Sequence, residues 1–204
     1  MKKKYMCRLI ETIRIENGSP SLLNFHQERM DRARKELFGL INDCDLADHL
    51  TDFSLPKSGI WKCRVTYGAM IENTEFEPYQ KKKIQSLQIV EADHFNYDHK
   101  FANREGIQLL FNLRKQADDI LIIKNQLLTD TSYCNIALWN GQNWITPLQP
   151  LLKGVRRESL IRSGKVQTGD ISINGLKNFS LIKLFNAMIS FEEAEEISTA
   201  SIFF

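Results

Sequence analysis

The sequence predicts a mixed α/β protein, and three observations carry that expectation. A stretch in which Met30, Ala33, Leu37 and Phe38 recur at helical spacing lies between runs of β-favouring residues. Strand-like runs dominate the second half, where Asn140-Gly141 stands between Cys134–Trp139 and Asn143–Thr146 as the type I′ pair of a hairpin. Tyr79–Ser86, with Lys81, Lys82 and Lys83, reads as a linker between a small amino-terminal domain, 1–82, and a larger carboxyl-terminal one, 83–204. With 204 residues, 43% of them hydrophobic, the chain can bury a core as one large domain or two small ones.

Taken in order, Tyr5–Ile15 is a strand that runs into a turn at Asn17-Gly18. A helix is expected from Asn24, an apt N-cap, to Gly39, which ends it. Residues 40–58, with Asp43, Asp45, Asp48 and Asp52, form a polar helix-and-loop connection. Ile60–Tyr67 is a strand, Gly68 a turn, and Glu75–Tyr79 a partner strand that Pro78 places at an edge or an end. Leu87–Val90 opens the second domain as a short strand. A helix over Ala102–Gln116 would bury Ile107, Leu110, Phe111 and Leu113. Ile120–Lys124 is β-rich, and Asn125-Gln126 turns before Leu127-Leu128. Gly154 opens a helix to Ser163, Val166 and Ile171–Ile173 suggest further strands, and Leu176–Met188 is helical at least in part.

Composition excludes several function classes. The 27 basic and 25 acidic residues leave a formal charge of +2, with no whole-protein field that favours nucleic acid or a membrane surface. The basic clusters Lys2–Lys4 and Lys81–Lys83 are local, a solvated terminus and a linker. Cys7, Cys44, Cys63 and Cys134 make no C-x-x-C pair and match no zinc spacing, so they read as free thiols in a reducing cytoplasm. His26, His49, His94 and His99 do not cluster as ligands, and no metal is expected. Neither a signal-like start nor a long apolar run is present, so neither secretion nor membrane insertion is indicated.

The motifs centre on His99-Lys100-Phe101-Ala102-Asn103-Arg104 and Leu128-Thr129-Asp130-Thr131-Ser132-Tyr133-Cys134-Asn135-Ile136. Alone, Lys100 reads as a surface lysine with a snorkelling stem. Together with Ile10–Arg14, Asn17-Gly18, His26–Met30 and Leu152–Arg157, however, these stretches resemble the class IV aminotransferase family, the pyridoxal phosphate enzymes of fold type IV. That family includes branched-chain and D-amino-acid aminotransferases and 4-amino-4-deoxychorismate lyases. The resemblance implies an α/β fold of the α+β type, a two-domain, D-amino-acid aminotransferase-like fold type IV enzyme. It also implies a cofactor cleft between the domains, a small-molecule substrate and a homodimer. Full-length relatives usually carry two more strands before residue 5, so the amino-terminal domain is expected to be trimmed.

The resemblance assigns roles residue by residue. Lys100 would carry the cofactor and then, once released, move the substrate proton. Arg29, in the pattern of His, two residues and Arg, would grip the cofactor phosphate through a planar fork, whereas His26 would hold local structure. Without that pattern, Arg29, Arg32 and Arg34 read as solvated charge. Asp130 stands where relatives carry Glu against the pyridine nitrogen, and on its own reads as a turn residue capping Thr131-Ser132. The backbone amides of Val155 and Arg156 would receive the phosphate at a helix start, with Arg156 replacing the family's Thr. Asn186 lies where relatives place a second phosphate-side loop, or else ends a helix packed by Met188. Asn135 would organise its loop.

The spacing of Lys100, Asn103 and Arg104 looks more like the lyase pattern than the branched-chain transaminase pattern. The first expectation is therefore a lyase that makes 4-aminobenzoate and pyruvate toward folate. An amino-acid aminotransferase is the alternative, and the departures at Asp130 and Arg156 leave open a non-catalytic cofactor-binding member.

Overall fold

The computed structural model describes residues 7–41 and 44–204; Lys2–Lys4, the start of the expected first strand and Asp43 lie outside the described residues. The chain divides into two compact units. The first runs to Lys81 and also takes His99–Asn103; the second comprises Lys82–Asp98 and Arg104–Phe204.

The first unit is a four-stranded antiparallel sheet with helices packed on it. β1 (Leu9–Glu16) turns through Asn17-Gly18 into β2 (Ser19–Pro20), followed by α1 (Leu23–Phe38), α2 (Leu46–Thr51), β3 (Ile60–Tyr67) and β4 (Ile71–Pro78), in sheet order β2-β1-β3-β4. Asn17 and Gly18 both have positive φ and join the paired residues Glu16 and Ser19, so this Asn-Gly makes the two-residue hairpin. β1 is interior. It pairs with β3 from Leu9↔Tyr67 to Glu16↔Ile60, and at its start Leu9 bridges Phe101, so the His99–Asn103 segment lies along it. Leu9, Ile13 and Ile15 pack with Met30 and Ala33 of α1 and with Cys63, Val65 and Tyr67 of β3 into one core.

Two boundaries differ from the sequence expectation. Helix α1 begins at Leu23, capped by Leu22 in the left-handed region rather than by Asn24, because the chain enters it directly from the tight β2 turn. Gly39, also left-handed, returns its amide to Arg34 and Lys35 and ends the helix as expected. β4 starts at Ile71, before the expected Glu75, and lies at the sheet edge with Pro78 as its last residue.

The second unit is built on a nine-stranded mixed sheet. β5 (Leu87–Glu91) leads through α3 (Glu105–Phe111) to β6 (Asp119–Lys124), then β7 (Leu127–Thr131), β8 (Asn135–Trp139) and β9 (Trp144–Pro147). α4 (Val155–Arg162), β10 (Gln167–Gly169), a 3-10 turn over Ile173–Asn178, β11 (Leu181–Phe185), β12 (Glu196–Ser198) and β13 (Ile202–Phe203) complete it. The order is β10-β9-β8-β7-β6-β5-β13, with β11 pairing β8 and β12. Leu121, Ile123, Leu128, Ile136, Leu138, Ile182 and Leu184 form the main core.

Four expectations are corrected here. α3 ends at Phe111, well short of Gln116, and Leu113 is exposed; Lys115 takes positive φ so that the chain can turn into β6. Asn140-Gly141 is part of a four-residue loop. The tilted Trp139/Trp144 pair sets the register, only Gly141 of the two has positive φ, and the Asn140 side chain accepts the amides of Gln142 and Asn143. Of Ile171–Ile173, Ser172 makes a single bridge to Leu127 and Ile173 enters the 3-10 turn. The helix expected over Leu176–Met188 is that 3-10 turn followed by β11, because pairing with β8 buries Ile182 and Phe185 completely. Among the described residues no helix is long and apolar enough to cross a membrane.

Candidate active site

Lys100 and Arg29 belong to the first unit; Asp130, Val155, Arg156 and Asn186 belong to the second. In the first unit the Ile10 amide donates to the Lys100 carbonyl at 2.9 Å and the Ala102 amide to the Arg8 carbonyl at 2.8 Å. This pairing seats half-buried Lys100 beside β1, one residue from Glu11. Facing β1, α1 presents His26 and Arg29 from one side, since residues three apart share a helix face. Glu11 receives both. Arg29 Nε donates to Oε1 at 3.0 Å and its Nη2 to Oε2, His26 Nδ1 lies 2.5 Å from Oε2, and the Tyr67 hydroxyl is 3.4 Å from Oε1.

The group is almost entirely inside the protein, with Glu11 and His26 at 0% exposure and Arg29 at 8%. Burial by itself would raise the Glu11 carboxyl; the Arg29 charge and the His26 hydrogen bond outweigh it and hold the group at about 2. Burial pushes His26 down, against Glu11, and the Arg29 and Lys100 charges push the same way. His26 is thus a neutral ring that donates through Nδ1 to Glu11, and its buried Nε2 has no partner among the described residues. Sequence reading placed His26 as structural and did not single out Glu11. The available signal was an acidic residue inside the apolar run Leu9–Ile15.

In the second unit Asp130, next to last in β7, pairs with Asn135, the first residue of β8. It does not cap Thr131-Ser132. Its Oδ1 accepts Asn135 Nδ2 at 2.7 Å and its Oδ2 the Leu152 amide at 2.9 Å, so it ties β7 to the segment before α4. Burial raises Asp130 to about 6, against these two bonds and the Arg157 charge. Asn135 also donates to the Leu152 carbonyl at 2.9 Å. Gly154 follows closely, because a Cβ there would lie 2.0 Å from Asn135 Oδ1. Asn135 does organise the loop, as expected.

α4 starts at Val155, and Gly154 as its N-cap supplies no side-chain bond to the first turn. Val155 is buried through its side chain, and Arg156 lies half-buried beside it. Arg157, which sequence reading passed over, is buried and donates to the Pro147 carbonyl at 2.6 Å. Asn186 uses its side chain within the chain: Nδ2 donates to the Tyr133 carbonyl and to Cys134 Sγ, while Oδ1 accepts the amides of Met188 and Ile189. It closes a turn after β11 rather than ending a helix.

Taken unit by unit, these residues have the chemistry that a phosphorylated pyridine requires. In the first unit a buried guanidinium suits a dianion; in the second a helix start without a side-chain cap suits one as well, and a carboxyl whose charge burial leaves under-compensated suits a cationic ring nitrogen. Among the described residues no three acidic, His or Cys side chains gather as a metal site.

Known proteins match this chain over most of its length. A Haemophilus influenzae protein described only as uncharacterized is 36% identical over 186 residues, which cover 90% of this chain and 98% of that one. A Haemophilus somnus crystal structure, provisionally named a 4-amino-4-deoxychorismate lyase, superposes with a TM-score of 0.85 at 29% identity, covering 92% of this chain and 99% of its own. An aminotransferase of Brucella abortus, solved with the cofactor pyridoxal phosphate, shares the fold at a TM-score of 0.67 and 16% identity, covering 93% and 80%. The expected fold class, that of the fold type IV enzymes, is the one observed. The family model for amino-transferase class IV matches residues 8–196, and the chain is therefore an enzyme of the class IV aminotransferase family.

Proposed function

We propose that this chain is a pyridoxal phosphate-dependent lyase that converts 4-amino-4-deoxychorismate to 4-aminobenzoate and pyruvate, a step toward folate. The observation that carries the lyase reading is the likeness to the Haemophilus somnus protein of that provisional name, at 29% identity over 99% of its length. The Lys100, Asn103 and Arg104 spacing supports it.

Pyridoxal phosphate, when bound, supplies an electron sink for negative charge at the amine-bearing carbon. Lys100 would hold the cofactor through Nζ and, once its amine is free, would take the proton from that carbon. The electron pair left behind forms a ring double bond to the neighbouring carbon as the ether C–O bond there breaks; the ring becomes aromatic, and the pyruvate enolate that leaves takes up a proton. Substrate atoms are thus divided between two products without any second substrate. By the family resemblance, Arg29 and the first-turn amides of Val155 and Arg156 would hold the phosphate, and Asp130 would keep the ring nitrogen protonated. Asn186 holds the loop at Tyr133-Cys134 through its side-chain amide. The working enzyme is a homodimer acting on a small molecule, as the family resemblance implies, in the reducing cytoplasm that its unpaired cysteine spacing suggests.

The second reading is an amino-acid aminotransferase, favoured by the fold shared with the Brucella abortus enzyme. It would use Lys100 to return the proton elsewhere and would require a keto acid. Incubating the cofactor-loaded protein with 4-amino-4-deoxychorismate and no keto acid separates the two. Equal, catalytic release of 4-aminobenzoate and pyruvate is expected; no release, alongside turnover of an amino acid with a keto acid, would establish the aminotransferase instead.

A further inference from the structure

Behind Arg29 lies a polar cluster that phosphate binding by a lone arginine would not require. The Glu11 carboxylate has two donors at each oxygen: Arg29 Nε and the Tyr67 hydroxyl at Oε1, Arg29 Nη2 and His26 Nδ1 at Oε2. These groups come from β1, α1 and β3, and all are buried. Well-packed apolar residues can replace a buried ion pair without loss of stability, so stability alone does not account for a charged group so fully enclosed.

The geometry points to a second task. We infer that Glu11 is a positioning residue for Arg29, fixing the guanidinium plane so that it meets the cofactor phosphate in one preset orientation; the inference rests on the reading of Arg29 as a phosphate ligand. Glu11 takes the Nε/Nη2 edge of the fork through both of its oxygens, which sets the plane of the guanidinium. His26 and Tyr67 lock Glu11 in turn, and the long arginine side chain has little rotamer freedom left to lose when the phosphate arrives. The carboxylate also partly neutralises Arg29. Acting by charge alone, Glu11 would weaken phosphate binding; acting by position, it strengthens it.

The two effects predict opposite signs, and one ratio reads them. Dissociation constants for pyridoxal phosphate and for phosphate-free pyridoxal are measured for the wild type, Glu11→Gln, Tyr67→Phe and Arg29→Gln. Glu11→Gln is expected to lower the preference for the phosphorylated form by about tenfold while leaving pyridoxal affinity unchanged. An unchanged or increased preference overturns the inference, and so does an equal weakening of both ligands, which would mark a purely structural role. If Glu11→Gln does not fold, Tyr67→Phe decides, with a loss of preference of roughly twofold to threefold expected and an unchanged preference overturning it. An Arg29→Gln variant that keeps the full preference would instead remove the reading of Arg29 itself.

Discussion

Glu11 and Arg29 meet through the Nε/Nη2 edge of the guanidinium, Nε lying 3.0 Å from Oε1, with the strand residue fully buried and the helix residue nearly so. A pair enclosed to this degree couples the sheet to the helix that packs on it. Removing either member leaves the other charge buried and unmatched, at a cost of about 3–5 kcal/mol. Glu11→Gln and Arg29→Gln should each destabilise the protein in urea by more than the double variant's excess over either single one. A double-mutant cycle should return a coupling of about 2–3 kcal/mol. Simple additivity of the two would deny the coupling.

Gly154 is required for space rather than for an unusual backbone angle, since its φ is −71°. An added methyl would lie 2.0 Å from Asn135 Oδ1, and Asn135 holds both Asp130 and the Leu152 carbonyl. Gly154→Ala should therefore cost about 1–3 kcal/mol and weaken cofactor binding as Asp130 shifts. Thermal denaturation with and without pyridoxal phosphate checks both effects, and a variant with wild-type stability in each condition would show that the loop yields freely.

The two perturbed carboxyls give opposite pH dependences. Glu11 falls from 4.5 to about 2 on folding, so its contribution is present above about 4.5 and is lost as pH falls toward 2; it amounts to roughly 3 kcal/mol. Asp130 rises from 3.8 to about 6, so its contribution is present below about 3.8 and is lost as pH rises through 6, again roughly 3 kcal/mol. Asp130→Asn should flatten the decline in stability of the cofactor-free protein between pH 4 and 7, and Glu11→Gln should flatten the decline below pH 4. Urea titrations across pH measure both slopes; unchanged slopes would assign the dependence to other groups.

Local chemistry was legible where it decided the structure. Asn17-Gly18 forms the two-residue turn its sequence announces, and Gly39 ends α1. Asn140-Gly141 carries the same dipeptide, yet the Trp139/Trp144 pair moves the register and leaves four residues in the loop. β11 read as helix because Leu181, Leu184 and Phe185 also fit helical spacing, and only its partner β8, far away in sequence, settles the matter. The site follows the same division. Lys100, Arg29 and Asp130 stand out through their motifs, whereas Glu11 gains its meaning from His26, Arg29 and Tyr67, which are 15, 18 and 56 positions away. Arg157 likewise passed unnoticed beside Arg156, because its role is set by the Pro147 carbonyl at the end of β9.

The central claim is that Lys100, paired by its backbone to β1 beside Glu11, carries the cofactor. The most direct measurement is to load the protein with pyridoxal phosphate, reduce it with borohydride, digest it and locate the modified lysine by mass spectrometry, with Lys100→Ala as the control. The account predicts the phosphopyridoxyl group on Lys100, and a folded Lys100→Ala protein that shows neither the modification nor the visible absorption of the loaded wild type. Modification at another lysine, or a Lys100→Ala variant that retains both the absorption and full turnover, would contradict it.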